Sequence, residues 1–158
     1  MENNIRGQQI DRYIVRSLYS NQIDPSELTP AKIREQMISK MEKQTFVTPE
    51  FKEKVEKREQ MAPTSFPSGI AIPHSIKNDA LQSGVSIMTL QEPIYWNDVK
   101  VKIITLVAIS KKDATEFNDF FEKFVEIVSE PINTKRLSMV ESFEEFIRKL
   151  KMMMEESE

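Results

Sequence analysis

The run from Val101 to Ile109 constrains this chain more than any other segment. Near its centre, Ile103, Ile104, Leu106 and Val107 leave no polar side, so an extended chain here is apolar on both faces and must be covered on both. That places it at the middle of a sheet. A membrane span is excluded by the same run: from Ile103 to Ile109 it is broken by Thr105 and flanked by Lys102 and Ser110, well short of the about 20 apolar residues a spanning helix needs.

Helices on either side of this run in the sequence supply the cover. Ile10, Tyr13, Ile14 and Leu18 recur at helical spacing, and breakers from Asn21 to Pro25 end that helix. Thr29-Pro30 is a capping residue followed by proline at the first helical position, where the missing N–H is harmless, and Ile33, Met37 and Met41 make one stripe after it. Thr48-Pro49 repeats the start signal, Phe51 and Val55 continue it, and the third helix reaches about Met61. Towards the C-terminus, Phe117, Phe120, Phe121, Phe124, Val125 and Val128 share one helical face, with Glu116, Asp119, Glu122 and Glu126 mostly opposite. This is an amphipathic helix lying on a sheet rather than a cofactor box. Ser142 to Glu145 reads as a capping box opening a last helix with Phe143, Phe146, Ile147 and Leu150 inward. Met152 to Met154 and the acidic tail are expected to fray, and the methionines receive no binding role.

Between these helices the texture changes. Ala62 to Gly69 carries two prolines, two serines, a threonine and a glycine, a loop by composition. Ile70-Ala71-Ile72 is a short strand closed by Pro73 and ending at His74, and Val85 to Leu90 is another strand. Pro93 to Asp98, with Tyr95 and Trp96, reads as a turn. The expected architecture is α/β, a mixed central β-sheet flanked by helices. With no repeat or low-complexity linker, 158 residues make one domain. Residues 1–24 read as an N-terminal helix or inter-domain segment, and 25–154 as the domain.

Composition removes several chemistries. There is no cysteine, so there is no disulfide, thiolate nucleophile or thiolate metal site. One histidine excludes a multi-histidine zinc centre, and three scattered glycines (Gly7, Gly69, Gly84) cannot form a phosphate-cradling glycine-rich loop. No cofactor and no metal are expected. A net charge of -3, with 22 basic residues spread along the chain, predicts no direct nucleic-acid contact. Met1-Glu-Asn-Asn has neither a basic nor an apolar leader segment, which with the missing cysteines favours the cytoplasm.

His74 is therefore the candidate for covalent or acid-base chemistry. Its bland alternative is a surface or satisfied core histidine. Its address argues otherwise: it stands at the end of a short strand, beyond a fixed proline, and strand ends are where open α/β sheets build sites. A neutral imidazole is a nucleophile able to take a phosphoryl group, and a guanidinium such as Arg58 can compensate the charge. From spacing alone, the solvated helix charge is the favoured reading of Arg58.

The segment Arg58-Glu59-Gln-Met-Ala-Pro-Thr64-Ser-Phe-Pro-Ser-Gly69-Ile-Ala-Ile-Pro73-His74 closely resembles the active-site segment of fructose/mannitol-type EIIA domains of the bacterial phosphoenolpyruvate:sugar phosphotransferase system. The resemblance runs from about Ile33 to Leu150. It implies a sheet flanked by helices, a phosphohistidine at His74, a phosphate-stabilising role for Arg58, and site positions at Glu59 and Thr64. The implied partners are phospho-HPr or EIIB, as donor or acceptor.

One position departs from that pattern. Family transporters often carry a second histidine in a His-Leu pair opening the helix after the central strand, and the matching place here is Glu116-Phe117. A carboxylate there would orient a neutral imidazole but repel its phosphate; the alternative is that Glu116 favours a helix N-terminus and faces water. With this departure the chain looks more like the EIIA-like domains of BglG/MtlR/LicR-type transcription regulators and antiterminators. The resemblance then implies a regulatory module joined to further domains of a longer chain. A sugar-transport EIIA and a non-phosphorylated binding module are the alternatives.

Overall fold

The computed structural model describes residues 4–157. The Met1–Asn3 start, read above for a leader, and Glu158 of the tail lie outside the described residues. In chain order the elements are α1 (Asn4–Tyr13), β1 (Ile14–Ile23), α2 (Pro30–Lys43), α3 (Phe51–Met61), β2 (Ser65–Phe66) and β3 (Ile70–Ala71). After them come β4 (Gly84–Trp96), β5 (Val99–Ala108), a 3-10 turn at Lys111–Asp113, α4 (Ala114–Val128), α5 (Pro131–Ser138) and α6 (Phe143–Glu156). The sheet order is β1-β4-β5-β3-β2, so the two-faced apolar run is the middle strand. β5 pairs antiparallel with β4 and parallel with β3, which makes the sheet mixed.

Alternation along β5 sends its side chains to two cores. Ile103 and Val107 join Phe117, Phe120, Phe124 and Phe146 under α1, α4, α5 and α6. Ile104, Leu106 and Ala108 join Ile33, Met37, Met41, Phe51 and Val55 under α2 and α3. The Thr29 cap is as expected, its hydroxyl accepting from the Lys32 N–H. Thr48 instead leaves its carbonyl to the Phe51 N–H, and α3 starts at Phe51.

Three expectations need correction. The helix read through Ile10, Tyr13, Ile14 and Leu18 stops at Tyr13, and Ile14–Ile23 is an edge strand parallel to β4. Ile14 and Leu18 are four apart, as on one helical face, yet an irregular register between Ile14 and Tyr19 sends them to opposite cores. Residues 14–23 therefore share the sheet with the segment after residue 25. Pro93 to Trp96 is not a turn but the end of β4: Pro93 lies in the register shift between Thr89 and Ile94, where its missing N–H breaks no ladder bond. The turn is Asn97-Asp98 alone, with Asn97 at φ 57. Met153 and Met154 do not fray; at 7% and 1% exposure they extend the inward face of α6 into the aromatic core. The last third also holds α5, whose eight residues buried through Thr134, Leu137 and Ser138 are too few for a periodic signal.

Candidate functional site

The segment ahead of His74 is folded by its own turn chemistry. Gly69, at φ 106, closes a turn in which its N–H donates to the Phe66 carbonyl, letting β2 run back along β3. Beyond β3 the chain stays against β5: the Val107 N–H donates to the Pro73 carbonyl at 3.1 Å, and His74 bridges Val107. Parity with Ile70 and Ile72 turns His74 to the aromatic side of the sheet. There it is half-buried in a cavity of about 270 Å³. Arg58, the loop from Pro63 to Pro67, Ile72, Phe121 and Val125 form the walls, with no carboxylate among them.

The imidazole is oriented by the backbone. Nδ1 lies 2.9 Å from the Ile72 carbonyl oxygen, which can only accept, so this contact assigns the ring proton to Nδ1. In the neutral ring the lone pair is then on Nε2, the arrangement a nucleophile needs. Arg58, in the last turn of α3, donates through Nη1 to the Ala62 carbonyl at 2.8 Å and has no carboxylate partner among the described residues. Its position at a helix C-terminus favours a cation.

Glu59 and Thr64 meet each other rather than the cavity centre. The Glu59 carboxylate accepts from the Thr64 N–H at 3.0 Å, the Thr64 hydroxyl at 2.8 Å and the Trp96 indole N–H at 2.9 Å. Thr64 lines the cavity and Glu59 does not. Glu116 stands apart. Its carboxylate accepts from Arg12 at 2.6 Å, Arg12 also reaches Asp113 at 3.3 Å, and Glu116 is not a wall of the His74 cavity. Ile72, not Glu116, orients the imidazole. Burial and the charge of Asp113 push the neighbouring Tyr13 phenol up.

The structure brings His74, Arg58 and Thr64 to one cavity, with Glu59 bonded to Thr64 but not among its walls. Sequence reasoning missed Phe121, Val125 and Phe66 as cavity walls and Trp96 as a partner of Glu59. Phe121 and Val125 are four apart at the margin of the phenylalanine stripe, and that marginal place was the available signal. Trp96 carried none, because its contact with Glu59, 37 residues away, exists only in the folded chain.

The chain is 29% identical over 107 residues to the transcriptional regulator ManR of Bacillus subtilis, an alignment covering 68% of this chain and 16% of that protein. It is 30% identical over 105 residues to the mannitol-specific phosphotransferase enzyme IIA component of Halalkalibacterium halodurans, covering 65% of this chain and 70% of that one. Among solved structures it resembles mannitol enzyme IIA from Escherichia coli, determined in complex with phosphorylated enzyme IIB, with a TM-score of 0.72 at 18% identity over 86% of this chain and 95% of that one. Residues 27–153 match the family model for the phosphoenolpyruvate-dependent sugar phosphotransferase system, EIIA 2. A match over that length, on the fold shared with mannitol enzyme IIA, means that the chain belongs to the EIIA 2 family of the sugar phosphotransferase system.

Proposed function

We propose that this EIIA-type domain accepts a phosphoryl group on Nε2 of His74 and serves as the regulatory module of a sugar-operon transcription regulator or antiterminator. The observation that carries the reading is the Nδ1 contact with the Ile72 carbonyl, which leaves Nε2 as the nucleophile in a cavity walled by Arg58. The Nε2 lone pair attacks the phosphorus of a donor phosphohistidine. As the new P–N bond forms, the donor P–N bond breaks and its electron pair leaves with the donor imidazole. The proton stays on Nδ1, donated in a hydrogen bond to the Ile72 carbonyl, so the phosphorylated ring is cationic and remains a good leaving group. Arg58 offsets charge on the transferred oxygens, and positioning with charge compensation is most of what this transfer asks of a protein.

Phospho-HPr or an EIIB domain is the donor or acceptor, the latter supported by the enzyme IIB bound to the mannitol relative. A cytoplasmic location follows from that partnership. Regulation is supported by the likeness to ManR and by Glu116 where transporters often have histidine. Phosphorylation adds about -1.5 to -2 charge at one point, enough to bias docking against another domain of the same full-length chain. A second reading, transport relay from HPr to EIIB, is supported by the mannitol component, which the alignment covers over 70% of its length. The full-length gene separates them: DNA-binding and regulatory domains upstream mean a regulator, a membrane EIIC neighbour a transporter.

Incubation with phosphoenolpyruvate, enzyme I and HPr is expected to give an acid-labile, base-stable adduct that is absent in His74→Ala. No adduct from HPr or from any EIIB donor overturns both readings.

A further inference from the structure

We propose that Trp96 is a positioning residue for phosphoryl uptake: with Thr64 it holds the Glu59 carboxylate out of the His74 cavity and so leaves the Arg58 guanidinium without a competing carboxylate when the phosphoryl group arrives. The inference rests on the roles given above to His74 and Arg58. Arg58 and Glu59 are consecutive in α3, so the cation needed beside an incoming phosphate has an anion as its covalent neighbour. Left loose, that carboxylate either pairs with Arg58 or repels the phosphate. Three donors prevent both. The Thr64 N–H and the Trp96 indole N–H take one carboxylate oxygen at 3.0 and 2.9 Å, and the Thr64 hydroxyl takes the other at 2.8 Å. Arg58 consequently faces the cavity and Glu59 does not.

Trp96 is itself braced. It is fully buried, the Ser65 hydroxyl donates to its carbonyl at 3.1 Å, and the Arg34 guanidinium lies 5.4 Å over its ring. Arg34 in turn grips Glu56 through two bonds of 2.7 and 2.9 Å. Both C-terminal carboxylates of α3 thus have donors of their own, and neither draws on Arg58.

Trp96→Phe removes the N–H and keeps a buried ring beneath Arg34. The initial rate of His74 labelling from radiolabelled phosphoenolpyruvate, enzyme I and HPr is expected to fall about tenfold, as for loss of one hydrogen bond to a charged group. Adding Glu59→Gln to Trp96→Phe restores most of that rate, because the amide carries no charge to set against Arg58. In an Arg58→Ala background, Trp96→Phe has no further effect. An unchanged rate in Trp96→Phe, a loss that persists with Glu59→Gln, or a loss that adds to Arg58→Ala overturns the proposal. Should Trp96→Phe fail to fold, Thr64→Val, which removes the hydroxyl donor to the same carboxylate, carries the same comparisons. If the unmodified protein takes no label, the reading of His74 fails. The Trp96 role is then decided by the Arg58 Nε–H resonance, which shifts in Trp96→Phe and returns with Glu59→Gln if the proposal holds, and stays still if it does not.

Discussion

The two faces of the sheet are covered by different materials. Under α1, α4, α5 and α6 the core is aromatic, with Tyr13, Phe117, Phe120, Phe124 and Phe146 at most 1% exposed. Its rings meet at fixed geometries, such as Tyr13 edge-on to Phe117 at 4.9 Å and Phe117 stacked with Phe121 at 5.8 Å. Under α2 and α3 the core is mainly aliphatic, with Met37 and Met41 among isoleucines and valines and two buried rings, Phe51 and Trp96. Stiff rings hold one shape, whereas thioethers fill whatever space remains. The charge nearest the site comes from the other face. The aliphatic side carries Arg34 with Glu56 and the Glu59 carboxylate with its three donors. His74 stands where the faces meet, with Phe121 and Val125 from one and Arg58 from the other. One face supplies the shape of the site and the other its charge.

Substitutions can break this contrast. Phe120→Ala is expected to destabilise by about 3–5 kcal/mol in urea unfolding, since it deletes a fully buried ring from a face that cannot flow into the gap. A loss below that of an ordinary methylene deletion refutes the rigid-face reading. Arg58→Ala is expected to leave the melting temperature in place and to slow His74 labelling roughly 100-fold, the scale for removing one charge-stabilising donor. A labelling rate equal to that of the unmodified protein makes the guanidinium a bystander. Thr105 sharpens the comparison from the opposite direction. Its fully buried hydroxyl has no hydrogen-bond partner, on the aromatic side between Ile103 and Val107. Thr105→Val keeps the shape and removes the orphan, so stability should rise by about 1 kcal/mol, read from the urea midpoint. Arg12→Ala is the smallest. Its pair with Glu116 is 54% and 46% exposed, so about 0.5 kcal/mol is at stake, and His74 labelling should stay within about twofold. A collapse of labelling would bring Glu116 into the site.

Much of this was legible in the chain. The strand at the sheet centre, the caps at Thr29 and Ser142 and the phenylalanine helix are local signals, and each is where periodicity or turn chemistry predicts it; the segment read as a loop before His74 departs in part, since Ser65–Phe66 pairs with β3 as a strand. The errors fall where tertiary pairing overrides a local pattern. Ile14 to Ile23 finds hydrogen-bond partners along β4 that a helix would not need, and Tyr95 and Trp96 remain extended because Lys100 and Val99 pair with them across the hairpin. α5 escaped detection because its burial depends on what lies beneath it.

The linear order of residues determined that His74 is the sole imidazole, that it follows a strand and a proline, and that Arg58 and Glu59 lie one helix upstream. Those are properties of composition and spacing, and they survive any packing. Which ring nitrogen is free, where Glu59 points and what holds Glu116 were decided by the tertiary structure. Each depends on a group distant in sequence or on backbone direction: the Ile72 carbonyl turned back on the ring, the Trp96 indole 37 residues from Glu59, and Arg12 104 residues from Glu116. Hydrogen bonds act over about 3 Å, so a pattern along the chain can specify a local cap but not a bond between groups distant in sequence until the chain has folded.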